Sequence, residues 1–153
     1  RPAWSIASDT PRLPSPPHCA SITAPDLTGL GVDGLTVANV QDVSDVLQGQ
    51  AQGGTGCLFS LTTEGAGSAG LTILAHPDGG AYFDATVARL TGAQPVPGLG
   101  DDARSGSDSP GSTTVITRRG PLVVEVRIGR PDVLDPNLLI AVAGLALERE
   151  DQP

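Results

Sequence analysis

The chain reads as an α+β domain, an antiparallel sheet with helices packed on it. Three observations predict that class. Alternating, β-branched stretches come in pairs joined by short connections, which suits hairpins. Two amphipathic stretches with apolar residues at helical spacing follow those pairs. Single strands do not alternate with single helices, so a doubly wound parallel sheet is not expected.

At 153 residues the chain suits one domain with an attached tail. Residues 1–18 carry Pro2, Pro11, Pro14, Pro16 and Pro17 without an apolar period, a composition that favours extended polyproline-like chain and reads as a tether. Trp4 is the exception, an indole that either hangs in the tether or lies against the body. The domain is assigned to residues 19–150. Thr23 or Ala24 caps a short helix with Pro25 in its first turn and Asp26 offsetting the dipole, ending at Gly29 or Gly31. Leu35 to Val46 fits neither period cleanly, and a strand is placed at Leu35 to Val40. Gln48 to Gly56 is a Gly and Gln loop.

Cys57 to Thr63 and Leu71 to Ala75 are read as antiparallel strands, with Glu64 to Gly70 as a flexible connection. Asp78 is expected to cap a helix running to Thr91, with Phe83, Val87 and Leu90 on one face and Gly92 as its stop. Gln94 to Gly111 is expected to be loop, its Asp101 to Pro110 part mobile. Ser112 to Thr117 and Leu122 to Ile128 form the clearest hairpin, with Arg118-Arg-Gly-Pro121 as its turn. Asp135 caps a last helix with Pro136 at its first position. Leu138, Leu139, Val142, Leu145 and Ala146 make its apolar stripe, which ends near Arg149.

Composition narrows the function. The formal charge is −8 and all nine basic residues are Arg, which disfavours a nucleic-acid partner and leaves no lysine for a Walker A loop. No apolar run approaches the roughly 20 residues of a membrane span. With Arg at position 1, an upstream signal peptide, lipid anchor or transmembrane helix is expected, and the membrane is reached only through it. Only two cysteines are present, Cys19 and Cys57. Two Cys in an acidic Gly/Pro-rich chain fit a disulfide in an oxidising compartment, the other reading being two buried free thiols. A metal site needs more ligands than His18, His76 and this pair supply, and no cofactor or metal is expected.

Catalytic motifs are weak. Neither G-x-S-x-G nor H-E-x-x-H occurs, and Gly29-Leu-Gly-Val-Asp-Gly34 lacks the preceding strand a dinucleotide turn needs, so it reads as a turn. Asp101, Asp102 and Asp108 lack the spacing of a calcium loop. Weak candidates for ligand or partner contacts are His76, Asp101, Asp102, and Arg118 and Arg119 at the hairpin tip. No residue is assigned as catalytic.

Cys19 beside the Thr-Ala-Pro-Asp-Leu helix start, Gly56-Cys57-Leu-Phe, Val96-Pro-Gly-Leu-Gly-Asp-Asp-Ala103 and the final hairpin and helix together resemble a family of actinobacterial secreted proteins and lipoproteins classed as a domain of unknown function. The resemblance covers about Cys19 to Glu148 and is most specific at the V-P-G-L-G-D-D-A stretch. It implies an envelope location, a Cys19 to Cys57 disulfide and a helix-covered antiparallel sheet similar to the extrinsic photosystem proteins. It implies no catalytic residues. Pro16-Pro-His-Cys19 is not a lipobox, so any lipid would sit on a cysteine further upstream. The expected function is a non-catalytic envelope domain that binds an envelope protein or small ligand. The alternatives are the sensor ectodomain of a membrane receptor or kinase, and a small hydrolase or isomerase using His76 with Asp78 or Asp101.

Overall fold

The computed structural model describes residues 22–44, 54–65, 67–130 and 133–151. The tether with Trp4, Cys19 and most of the Gln/Gly loop lie outside them. The elements are α1 (Ala24–Thr28), β1 (Thr36–Asp42), β2 (Thr55–Thr63), β3 (Gly67–His76), α2 (Gly80–Arg89), β4 (Thr91–Pro95), β5 (Asp102–Ser107), β6 (Thr113–Arg119), β7 (Leu122–Ile128) and α3 (Pro136–Glu150). The strands form one seven-stranded sheet in the order β1-β2-β3-β7-β6-β5-β4, with every neighbouring pair antiparallel. The α+β class with helices on an antiparallel sheet is therefore observed. Among the described residues no helix is long and apolar enough to cross a membrane.

Successive strand residues point to opposite faces, so each face has its own core. On one face Cys57, Phe59 and Leu61 of β2, Leu71 and Ile73 of β3, Val115 of β6 and Val124, Val126 and Ile128 of β7 form the main core. It is closed by Leu27 of α1 and Leu139, Val142, Ala143, Ala146 and Leu147 of α3. On the other face α2 packs Phe83 and Leu90 onto Ile116 and Val123. That second core is small, and it stops at the Val123 end of β7.

Caps and ties follow from local sequence. Thr23 and Asp26 form a reciprocal capping box on α1, and the Asp135 side chain accepts from the Leu138 N–H at 3.0 Å to start α3. The Arg149 guanidinium reaches Asp26 at 2.5 and 3.1 Å, joining the two helices over the main core. Burial alone would raise the Asp26 pKa, but Arg149 and the Thr23 donors outweigh it and hold the carboxyl below its ordinary value. The 29–34 glycine motif forms the turn between α1 and β1.

Five expectations are corrected. Most of the Glu64 to Gly70 connection is strand, because β2 and β3 stay in register out to Thr63 opposite Gly67. Asp78 does not cap α2. Gly79 is the cap residue, since its N–H bonds the Pro121 carbonyl at 2.8 Å and a side chain there would strike Val123 at 2.9 Å. That helix ends at Arg89 rather than Thr91, because Leu90 turns extended and Thr91 pairs with Ser107. In addition, the stretch Gln94 to Gly111 expected to be loop contains the end of β4 and all of β5, the latter within the Asp101 to Pro110 part. β5 is polar and poor in β-formers, yet it pairs along β6 from Asp102 opposite Arg118 to Gly106 opposite Thr114. The edge of β6 satisfies its backbone groups, and tertiary pairing overrides weak propensity. The hairpin turn is likewise shorter than expected. Arg118 and Arg119 belong to β6, leaving Gly120, at φ +58°, and Pro121 as the connection.

Candidate functional site: a cleft over the second sheet face

The face that α2 covers continues past Val123 with Glu125 and Arg127 of β7. Register places Leu74 beside Glu125 and Thr72 beside Arg127 on β3, with Ile116 beside Glu125 on β6. The N-terminal cap of α2, Gly79, packs on Val123 and the C-terminal end, at Leu90, lies beside Gly106 of β5, so the stretch of β7 and β3 beyond Val123 borders a cleft lined by Thr72, Leu74, Tyr82, Arg89, Asp108, Glu125 and Arg127. The cleft holds about 330 Å³ including its open mouth.

Glu125 is 8 % exposed in the centre of a strand whose other residues are apolar or paired. The Tyr82 hydroxyl of α2 donates to its Oε1. Oε2 is neither hydrogen-bonded nor among the sealed, partnerless side-chain atoms, so it faces the cleft. Burial raises the Glu125 pKa above its ordinary value. The Tyr82 bond and the charges of Arg127 and Arg89 oppose that rise, while Asp108 adds to it. Burial and then the neighbouring Glu125 charge raise the Tyr82 pKa, so the phenol keeps its proton and serves as donor. Arg127 is paired with Asp108 at 2.7 Å. Arg89 at the rim reaches only the Thr86 hydroxyl at 3.4 Å.

A carboxyl whose pKa is raised by folding binds more protons in the folded state than in the unfolded chain. Its unfavourable contribution is absent below about 4.5 and grows as pH climbs through the raised value. Replacing Glu125 by Gln is therefore expected to raise stability at pH 7 by about 1 kcal/mol, as relief of a strained functional group commonly does. It should also flatten stability against pH above that range. Urea denaturation at several pH values measures both, and a pH dependence identical to the wild type would contradict the assignment.

The residues singled out in the sequence scatter around this cleft rather than filling it. His76, at the end of β3, is 8 % exposed. Its ring stacks on Tyr82 with centroids 6.2 Å apart, and Nδ1 accepts the Asp78 backbone N–H at 3.2 Å. It supports the wall from behind, and its partner is a backbone group rather than an acid. Asp101 is structural, since its Oδ2 accepts from the Gly120 N–H at 2.7 Å. Asp102 pairs with Arg104. Arg118 lies over the Phe83 ring at 5.4 Å, and Arg119 meets Asp151 at 3.3 Å, so neither is a free arginine at a hairpin tip. Asp101 and Asp102 stand before β5 or at its start and Asp108 beyond its end. Among the described residues no group of three or more His, Cys, Asp or Glu is placed to hold a metal.

Sequence reasoning missed Tyr82, Arg89, Glu125 and Arg127. One signal was present: Glu125 interrupts Leu122-Val-Val-Glu-Val-Arg-Ile128, a run apolar on both faces, and a charge there needs a partner or a use.

The fold and cleft define a class, an α+β domain with one seven-stranded antiparallel sheet and an acid-floored cleft on its thinly covered face. No family model and no curated protein matches the chain. Its fold is similar to the crystal structure of a GTP binding regulator from Thermotoga maritima, with a TM-score of 0.52 and 14 % identity over 88 % of this chain and 92 % of that one. At that identity the likeness extends to the fold alone.

Proposed function

We propose that this chain is a non-catalytic extracytoplasmic domain of the cell envelope that binds a small polar ligand in the Tyr82 and Glu125 cleft. The observation that carries the reading is a carboxylate buried in the sheet with one oxygen held by Tyr82 and the other turned to the cleft. A buried charge of this kind costs stability unless something pairs with it, and clefts with a few convergent polar groups are where ligands bind. The non-catalytic part of the reading is supported by the backbone partner of His76 and by the structural ties of Asp101 and Asp102.

The extracytoplasmic part rests on a disulfide between Cys19 and Cys57. Supporting it, Cys57 is 4 % exposed in the main core and is not a free thiol. A similarity to the extrinsic photosystem proteins, in their helix-covered antiparallel sheet, belongs to the same proposal. The fold neighbour is a GTP binding regulator, but a buried carboxylate suits a triphosphate poorly, so that property is not carried over.

Native mass spectrometry of the chain isolated from its own host tests the reading. The expected result is a small-molecule adduct on the wild type that is missing from Glu125→Gln. Adduct-free spectra for both proteins would overturn the cleft as a ligand site.

A further inference from the structure

Resting on that reading of the cleft, we infer that its ligand is a small molecule bearing both a primary ammonium and a carboxylate. The ammonium donates to Glu125 Oε2 at the floor, and the carboxylate meets the Arg89 guanidinium at the rim. The charges dictate this class. Arg127 and Asp108 neutralise each other at 2.7 Å, which leaves one negative group at depth and one positive group at the mouth. Glu125 is more than nine-tenths buried, its Oε1 takes the Tyr82 hydroxyl, and Oε2 has no partner among the described residues. What it lacks is a hydrogen-bond donor with positive charge.

Arg89 is exposed, and its one hydrogen bond, 3.4 Å to Thr86, is at the long limit for such a bond. It is therefore available to an anion in the two-pronged geometry that guanidinium and carboxylate share. Size agrees, since a cleft of about 330 Å³ with its mouth included is at the small end of ligand sites. Leu74, 3 % exposed, lines the cleft and suits the carbon linker. A plain anion would meet the buried carboxylate. A plain cation would reach that carboxylate past Arg89 with nothing to offer it.

The test is a titration of the uniformly ¹⁵N-labelled full chain at pH 7, followed by amide chemical shifts. The probes are glycine, β-alanine and γ-aminobutyrate, with methylammonium and acetate as single-charge controls. The expected result is that at least one amino acid shifts the Tyr82, Leu74 and Glu125 amides saturably, with a Kd at least tenfold below both controls. Glu125→Gln should weaken that probe tenfold or more. Arg89→Gln should reduce its affinity to the level of methylammonium, and the dispersed spectra of both variants report that they are folded.

Acetate binding as tightly as the amino acids, and unaffected by Glu125→Gln, would overturn the ammonium assignment while keeping the cleft as a ligand site. The ammonium assignment also falls, and the cleft again stands, if no probe moves a cleft amide but the host-isolated wild type still carries an adduct that Glu125→Gln lacks. If neither probes nor adducts appear, both the ligand class and the cleft reading fail.

Discussion

Replacing Gly100 by alanine is expected to destabilise the domain by about 4 kcal/mol, the sum of left-handed backbone strain and overpacking at a closed site. Gly100 has φ +63°, and a Cβ there would lie 2.4 Å from the Thr117 hydroxyl, 2.5 Å from the Arg118 carbonyl and 3.2 Å from Leu147. The carbonyl belongs to β6 and cannot move without breaking the sheet. Around it the V-P-G-L-G-D-D-A stretch works as a latch. Thr117 donates to the carbonyls of Leu99 and Asp102 at 3.1 Å each, the Asp101 N–H bonds the Arg118 carbonyl at 2.7 Å, and Leu99 is buried in the main core. Gly98→Ala is the control, because Gly98 also has a positive φ, +79°, but an added Cβ meets nothing within 4 Å. It should cost only about 1 kcal/mol from backbone strain. Urea midpoints of the two variants at constant m-value give the comparison, and equal losses would refute the close-approach argument.

Removing the proposed disulfide carries a comparable effect. Cys19 and Cys57 are 38 residues apart, and a cross-link of that span stabilises by about 4 kcal/mol in the chain-entropy model. Either reduction or the paired substitution Cys19→Ser with Cys57→Ser should therefore lower Tm by about 10 °C or more. Cys57 faces the main core between strand neighbours Gly56 and Leu58, on the same side as Phe59. A serine there also buries a hydroxyl, which makes reduction the cleaner measurement. Melting with and without a reductant reads the effect. A reduced chain that melts within about 2 °C of the untreated one, less than 1 kcal/mol for a domain of this size, would remove the bond and with it the support for an extracytoplasmic location.

Much of the fold was legible in the residues because its signals are local. Thr23, Pro25 and Asp26 mark α1, and Asp135 with Pro136 marks α3. The β-branched alternation of β6 and β7 marks the hairpin. The stripe on α3 was close, although Ala143 and Leu147 are buried where Leu138 and Leu145 are only half-buried. Strands β4 and β5 were not legible, since Gly, Ser, Asp and Gln carry no β signal and become strand only by pairing, β5 against β6 and β4 against β5. The candidate site was nearly invisible. His76 was singled out and lies beside it, whereas Asp101, Asp102, Arg118 and Arg119 form structural ties elsewhere.

By itself the sequence determined the class of the domain, its caps, its best hairpin and its acidic, lysine-free surface, because propensity, capping and periodicity act within a few residues along the chain. Tertiary structure alone decided which strands neighbour which, and that α2, starting at Val123 and ending beside Gly106, leaves Glu125 bordering a cleft. Pairing and coverage depend on residues far apart in sequence: Tyr82 and Glu125 are 43 positions apart and meet only because β3 and β7 are neighbours.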